Sequence, residues 1–344
     1  MNLAAVVTGP GHVELRETPV REPRPDEVVV RIAYVGLCGT DAGLISGTSP
    51  FVLDGRQKHP FVVGHEWSGV VERVGDAVRG RHVGDRVVGH PFIPCRTCDR
   101  CRGGAINQCR DRSELGVWGT VPGAAQNFIT IPADNLTPVP DSVPLRDAVL
   151  CEPSVTSMEC IAVTGAHEAD RVAIIGSGTL AQVAAQVLVA MGARVDALGS
   201  SVAGLAQMAT IGATPRPLTD APSDSYDVVI DIVGTAGATS ALTRIADAGA
   251  RIALAGVSGQ TADAMSLAPV VLKNLTITGV LHGVTRYGRV LRLMETGVIR
   301  PADLVDRCVP FADFTDAAAA LLAGDRTRPK ILVAVEPAID VHSV

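Results

Sequence analysis

The chain has 344 residues, 30 Lys+Arg against 36 Asp+Glu for a net charge of −6, and only 19% charged residues. That balance argues against a nucleic-acid-binding protein, which carries a basic excess, and 47% hydrophobic content excludes a wholly disordered chain. The length suggests about two domains, and four of the eight cysteines crowd between Cys95 and Cys109, which points to a metal in a reducing compartment rather than to secreted disulfides.

The opening MNLAAVVTGPGHVELRE has neither a basic n-region nor an apolar stretch suited to a secretory signal, so a cytoplasmic protein is expected. The first part reads as β-rich. Residues 28–35, 62–63, 69–74 and 85–89 are β-branched runs punctuated by glycine. From about residue 170 the rhythm becomes strand, helix, strand. Residues 171–175 form a short apolar run, and Leu180, Val183, Ala184, Val187, Leu188 and Met191 then recur at helical spacing until Gly192. Residues 172–193 carry no charge and are long enough to cross a bilayer. Gly176, Ser177, Gly178, Thr179, Gln182 and Gln186, with the change of period, fit a strand–turn–helix instead. Strands at 194–198, 227–233, 250–255 and 275–280, with a helix at 238–246, continue an alternation that favours a parallel sheet. An amphipathic run at 290–296, an Ala-rich helix at 316–323 and a strand at 330–335 close the chain.

Cys95, Cys98, Cys101 and Cys109 place four thiolates within fifteen residues. Tight C-x2-C turns let such sulfurs converge on one tetrahedral ion. A ferredoxin motif also begins C-x2-C-x2-C but continues with x3 and Cys-Pro, whereas here the gap is seven and Arg110 follows. Charged neighbours (Arg96, Asp99, Arg100, Arg102) disfavour a knot of buried thiols, so the spacing predicts a closed structural zinc site. Cys38, His65 and Glu66 stand in glycine-rich turns and form the mixed donor set of zinc sites that keep an exchangeable position. Singly, a lone His65 reads as a satisfied structural histidine and a lone Cys38 as a small buried hydrophobe. Gly176-Ser-Gly178-Thr-Leu-Ala181 follows a strand and opens a helix, the context of a dinucleotide fingerprint.

The turns GLCGTD at 36–41 and GHEWSG at 64–69, Gly75, Val83-Gly-Asp-Arg-Val87, the four-cysteine lobe and the nucleotide half together resemble the zinc-dependent medium-chain alcohol, polyol and sugar dehydrogenases, nearly end to end. The resemblance implies a catalytic zinc on Cys38, His65 and Glu66. Leu150-Cys-Glu-Pro-Ser-Val155 is similar to the Glu-Pro element of the sorbitol and threonine dehydrogenase branch, which makes Glu152 a ligand directly or through water and Cys151 a competing candidate. It implies Asp41 as the partner that orients His65, and Thr40 as the hydroxyl that carries the substrate proton away. Many relatives have a histidine three residues later to continue that relay. Here the position is Gly43, so water or another side chain must finish it, with His59, His90 and His282 as unranked candidates.

The cofactor is expected on Gly176, Gly178, Thr179, Leu180 and Ala181, on Gly199, Ser200 and Ser201, and on Val233, Gly256 and Val257. The acid that normally accepts from the NAD ribose stands at the end of the second strand. That place is Gly199, while Asp196 lies inside the strand and should point elsewhere. Gly-Ser resembles NADP-using relatives, although Ser201 replaces their arginine, so NADP is favoured over NAD.

The expected architecture is α/β. A GroES-like β-rich catalytic domain (1–153 and 293–344, with the zinc lobe at 95–109) joins a doubly wound Rossmann-type dinucleotide-binding domain (154–292). Two zinc ions per chain are expected. The substrate would enter an interdomain cleft as a secondary alcohol or ketone of polyol, sugar or cyclitol type, and exchange hydride with nicotinamide. A threonine-type or simple alcohol dehydrogenase using NAD is the alternative. A nonenzymatic nucleotide-binding or redox-sensing protein is a further one, and a zinc-free quinone or enoyl reductase is disfavoured by the metal residues. No nucleic acid or membrane partner is expected. Residues 275–280 resemble the segment through which such enzymes pair into homodimers or homotetramers. The loop 45–60, with Arg56 and Lys58, is read as a specificity loop or a solvated surface loop. Cys151, Cys160 and Cys308 are expected to be buried thiols.

Overall fold

The β-branched run beginning at Glu27 forms the strand Glu27–Leu37, buried along nearly its whole length, in a computed structural model that describes residues 2–257 and 265–340. Glu66–Val74 runs antiparallel along one edge of it. The other edge is shared, with Phe128–Pro132 beside its first half and Lys330–Ala334 beside its last residues. Arg86–Gly89, Leu136–Pro138 and Val305–Pro310 complete a seven-stranded sheet. Asn2–Gly9, His12–Thr18 and Phe61–Val62 make a three-stranded sheet beside it. Ile32, Val35, Trp67, Leu115, Ile131 and Phe314 belong to one continuous core.

Contacts divide the chain into two compact units, Met1–Glu152 with Tyr287–Glu295 and Pro301–Val344, and Pro153–Arg286 with Thr296–Arg300. The second contains six parallel strands in the order Thr214–Pro217, Arg194–Gly199, Arg171–Ile175, Tyr226–Asp231, Ala246–Leu254, Thr276–Gly279. Counted along the chain this is 3-2-1-4-5-6, the doubly wound dinucleotide-binding order. The expected domain boundary at 292/293 falls inside the helix Tyr287–Glu295, which packs with the first unit.

Several local expectations change. The turns expected at 36–41 and 64–69 shrink to Cys38, which caps the helix Gly39–Ser46, and to Gly64 and His65, since Glu66 already begins a strand. A helix, Cys151–Thr164, follows directly on Leu150, and another, Val202–Ile211, starts at the Ser201 cap. The strand expected at 250–255 starts at Ala246, so the preceding helix ends at Ile245. Cys151 and Cys160 are buried, but Cys308 is exposed, since it lies on the outermost strand of its sheet.

Candidate metal and dinucleotide sites

Cys38 stands where the central strand turns into a helix. Its sulfur accepts the Thr40 N–H (3.3 Å) and its own N–H donates to Asp41 Oδ2 (3.0 Å), so a reciprocal cap fixes the thiol at the helix start. His65 is placed by glycines. Gly64 has φ 100°, and a Cβ at Gly116 would lie 2.4 Å from the Gly64 carbonyl oxygen, so the two backbones meet only because Gly116 carries no side chain. Here His65 Nε2 lies 3.2 Å from Cys38 Sγ, and Nδ1 lies 3.3 Å from Asp41 Oδ1. Glu152, at the start of its helix, brings a carboxylate oxygen within 4.8 Å of ligand atoms of His65 and Glu66. All these residues lie in the first unit.

Two donor sets thus meet at His65, Cys38 and Asp41 in one and Glu66 and Glu152 in the other, and these donor types suit a zinc ion. Burial alone would lower the His65 pKa, yet the Cys38 and Asp41 charges hold it well above its ordinary value. Asp41 is fully buried, which disfavours its charge, but His65 and the Cys38 N–H outweigh this and keep it below the carboxylate range.

Glu66 differs from its neighbours. Both its oxygens accept from Lys330 Nζ, at 2.6 and 2.7 Å, and each side chain of the pair is 1% exposed. Burial raises the Glu66 pKa, with the Glu152 charge adding to it against Lys330. Sequence reasoning missed Lys330. The available signal was a lysine opening an apolar strand in a chain with only three lysines.

Thr40 is exposed. The Cys151 thiol points at the Tyr287 carbonyl (3.7 Å) and lies outside the convergent set, and burial next to Glu152 pushes its pKa well up. A Cβ at Gly43 would sit 3.5 Å from Ser49 Cβ, an ordinary van der Waals contact. His90 Nδ1 lies 3.2 Å from the Asn135 amide, His59 stacks on Phe61, and His282 is buried in the second unit. In the loop 45–60, Arg56 is paired with Asp54 at 2.7 Å and lies over the rings of Phe51 (4.6 Å) and Trp118 (5.5 Å). Arg112 also lies 5.5 Å from the Trp118 ring.

Cys95, Cys98, Cys101 and Cys109 converge with no disulfide among them. Their closest sulfurs are 3.5 Å (Cys98–Cys101), 3.9 Å (Cys98–Cys109) and 4.0 Å (Cys95–Cys101) apart. Tetrahedral bonds of ~2.3 Å to one zinc imply sulfur separations of roughly 3.8 Å, so the lobe fits that ion. Hydrogen bonds from Thr97 lower the Cys95 thiol to about 6.

In the second unit Gly176 takes φ 125° at the end of its strand, against Val233, and Gly178 opens the helix Thr179–Ala190 without a side-chain cap. The first-turn amides of that helix suit a pyrophosphate. Thr179, Leu180 and Ala181 form this turn, and the second strand ends at Gly199 before Ser200 and Ser201. Asp196 does point elsewhere, accepting from Arg216 Nε and the Tyr226 hydroxyl at 2.8 Å each. Buried Asp231, which the sequence did not single out, accepts the N–H groups of Val233 and Gly234 (2.9 and 3.0 Å). A Cβ at Gly256 would lie 2.3 Å from Gly234 N, so that turn packs on bare backbone, with Val257 exposed beside it.

A doubly wound dinucleotide fold joined to a β-rich unit with two convergent metal-donor sets defines a zinc-type oxidoreductase. Residues 24–141 match the alcohol dehydrogenase GroES-like domain. Sorbitol dehydrogenase from Bombyx mori is 28% identical over 313 residues, covering 87% of this chain and 89% of that protein. Among solved structures, alcohol dehydrogenase TADH from Thermus sp. ATN1 superposes with a TM-score of 0.90 at 26% identity, covering 97% of this chain and 100% of that one. Galactitol-1-phosphate dehydrogenase from Escherichia coli gives 0.88 at 26%, with the same coverage. Residues 24–141 thus belong to the alcohol dehydrogenase GroES-like domain family, and the chain is similar nearly end to end to zinc-type medium-chain alcohol and polyol dehydrogenases. No helix among the described residues is long and apolar enough to cross a membrane.

Proposed function

We propose that this enzyme transfers hydride between a nicotinamide dinucleotide, NADP in preference to NAD, and a secondary alcohol or its ketone of polyol, sugar or cyclitol type. The observation that carries this reading is that His65 is shared by two sets of converging donors, Cys38 and Asp41 in one and Glu66 and Glu152 in the other, from which Cys38, His65, Glu66 and Glu152 would hold the catalytic zinc. Zinc held there supplies Lewis acidity for an alcohol or carbonyl oxygen. Asp41 orients the His65 ring and fixes its tautomer, leaving Nε2 for the metal. Thr40, exposed in the first helical turn after Cys38, receives the substrate proton and releases it to solvent, since Gly43 offers no side chain to continue the relay. The four-cysteine lobe holds a second, structural zinc.

The NADP preference is supported by the Gly199-Ser200-Ser201 strand end, which presents no carboxylate to repel a 2′-phosphate, and by the engagement of Asp196 with Arg216 and Tyr226. The polyol class is supported by the relatives, sorbitol and galactitol-1-phosphate dehydrogenases among them. Self-association as a homodimer or homotetramer is part of the proposal. Its support is the strand Thr276–Gly279, which lies at the end of the sheet order, with Val271 and Leu272 exposed nearby.

A panel of polyols, sugars, cyclitols and their ketones, assayed with both cofactors beside zinc analysis, tests the reading. The expected result is two zinc ions per chain and turnover of a polyhydroxylated secondary alcohol that is lost with the catalytic zinc. Turnover indifferent to zinc, or a large preference for NAD, would count against the corresponding part.

A further inference from the structure

Ser177 stands between the first two glycines of the fingerprint turn, and its backbone is fixed from two sides. The Gly176 N–H donates to the Leu198 carbonyl (2.8 Å), which ties the turn to the end of the second strand. The Ser177 carbonyl accepts from Gln182 Nε2 (3.0 Å), and the same amide nitrogen donates to Gln207 Oε1 (2.7 Å) on the helix Val202–Ile211. The side chain takes no part in this anchoring. Its hydroxyl makes no hydrogen bond among the described residues, and the half-buried residue leaves that oxygen within reach of solvent.

A glycine makes room for that hydroxyl. Gly204 is the third residue of its helix, a place where glycine is a poor helix former. A Cβ there would lie 2.1 Å from Ser177 Oγ, 2.7 Å from Ser177 Cβ and 3.2 Å from Ser201 Oγ. Two hydroxyls therefore gather around the one point at which this helical turn carries no side chain. Both stand beside the end of the strand Arg194–Gly199, where the ribose 2′ position of a dinucleotide is read. Ser201 Oγ already accepts the Gly204 N–H (3.1 Å), which leaves its proton to donate. We propose that Ser177 is a specificity-determining residue whose hydroxyl, together with that of Ser201, donates to the 2′-phosphate of NADP in place of an arginine. The inference rests on the NADP reading proposed above. A hydroxyl bonds a phosphate oxygen more strongly than a neutral acceptor, so the pair favours NADP over NAD, whose 2′ position offers only an uncharged hydroxyl.

Isothermal titration of the full-length protein with NADP, and separately with NAD, tests the inference. Ser177→Ala is expected to weaken NADP binding about tenfold or more while NAD binding stays within about twofold of wild type. Phosphorus NMR of bound NADP gives a second readout, which a residue that only shapes the turn would not move. Donors to the phosphate favour its dianion, so the second pKa of the bound 2′-phosphate should rise in Ser177→Ala relative to wild type. Unchanged NADP affinity in Ser177→Ala overturns the inference. So does an equal loss for NADP and NAD with an unmoved phosphate pKa, which would make Ser177 a filler of the turn. Both of those results leave the NADP reading standing, provided the wild type binds NADP more tightly than NAD. A wild type that binds NAD more tightly instead overturns the NADP reading beneath the inference.

Discussion

His65 and Asp41 face each other with Nδ1 3.3 Å from Oδ1, while the second Asp41 oxygen accepts the Cys38 N–H. One carboxylate therefore sets both the imidazole orientation and the turn that carries the thiol. Asp41→Asn keeps an acceptor for Cys38 but removes the charge behind the ring. Zinc affinity at this centre is expected to fall about 10–100-fold. Chelator competition followed by metal analysis of the loaded protein measures it, and unchanged affinity would show that the aspartate acts only as a cap.

The four-cysteine lobe is short of packed core of its own, since only Cys109 of its cysteines is buried. Its order should depend on the ion. Cys98→Ser is expected to drop the zinc content from two per chain to one and to lower the Tm of the first unit by about 5–10 °C. Dinucleotide binding, carried by the second unit, should persist. Calorimetry with metal analysis reads both effects.

Cofactor choice turns on the end of the strand Arg194–Gly199. A Cβ at Gly199 would meet only Leu205 Cδ2, at 3.7 Å, so a side chain there is accommodated. Gly199→Asp places a carboxylate at the ribose and repels a 2′-phosphate. A fall of about tenfold or more in kcat/KM for NADP, with a gain for NAD, is expected. Equal losses for both cofactors would point to a general disturbance of the site.

Glu27 gives a pH test away from the metals. Burial raises its pKa, but Arg21, bonded to both oxygens at 2.7 and 2.8 Å, and the Arg24 N–H (2.8 Å) outweigh this and hold it below the ordinary carboxylate value. The unfolded chain then binds the proton more readily, so the contribution to stability is complete above the unfolded pKa of ~4.3 and is lost as pH falls through the lower folded value. Glu27→Gln should cost about 1 kcal/mol at pH 7, discounted for the exposure of Arg21. That difference should shrink below about pH 4 in denaturant titrations.

Features confined to short stretches of chain were legible in the sequence. C-x2-C-x2-C spacing is set by how two-residue turns converge sulfurs, the glycine fingerprint by the φ values a tight turn demands, and the strand–helix rhythm by burial of one face. These gave the cysteine lobe, the turn at Gly176–Ala181 and the α/β class. Even Asp196 was placed correctly, because the two-residue period of a strand fixes which side it takes. What spans the chain was not legible. Glu152 was reached only through the resemblance of its Glu-Pro element, because its approach to His65 and Glu66 depends on the start of its helix lying near them. Lys330 finds Glu66 only because residue 330 begins a strand laid against Gly36 and Leu37. Cys308 is exposed because its strand happens to be outermost. Local patterns fix what a segment can do, whereas the electrostatic environment of a buried group depends on neighbours that only tertiary packing brings within a few ångströms. The sequence therefore determined the class of enzyme and most of its donor groups, and the tertiary structure decided that the Glu66 carboxylate among those donors is paired with a buried lysine.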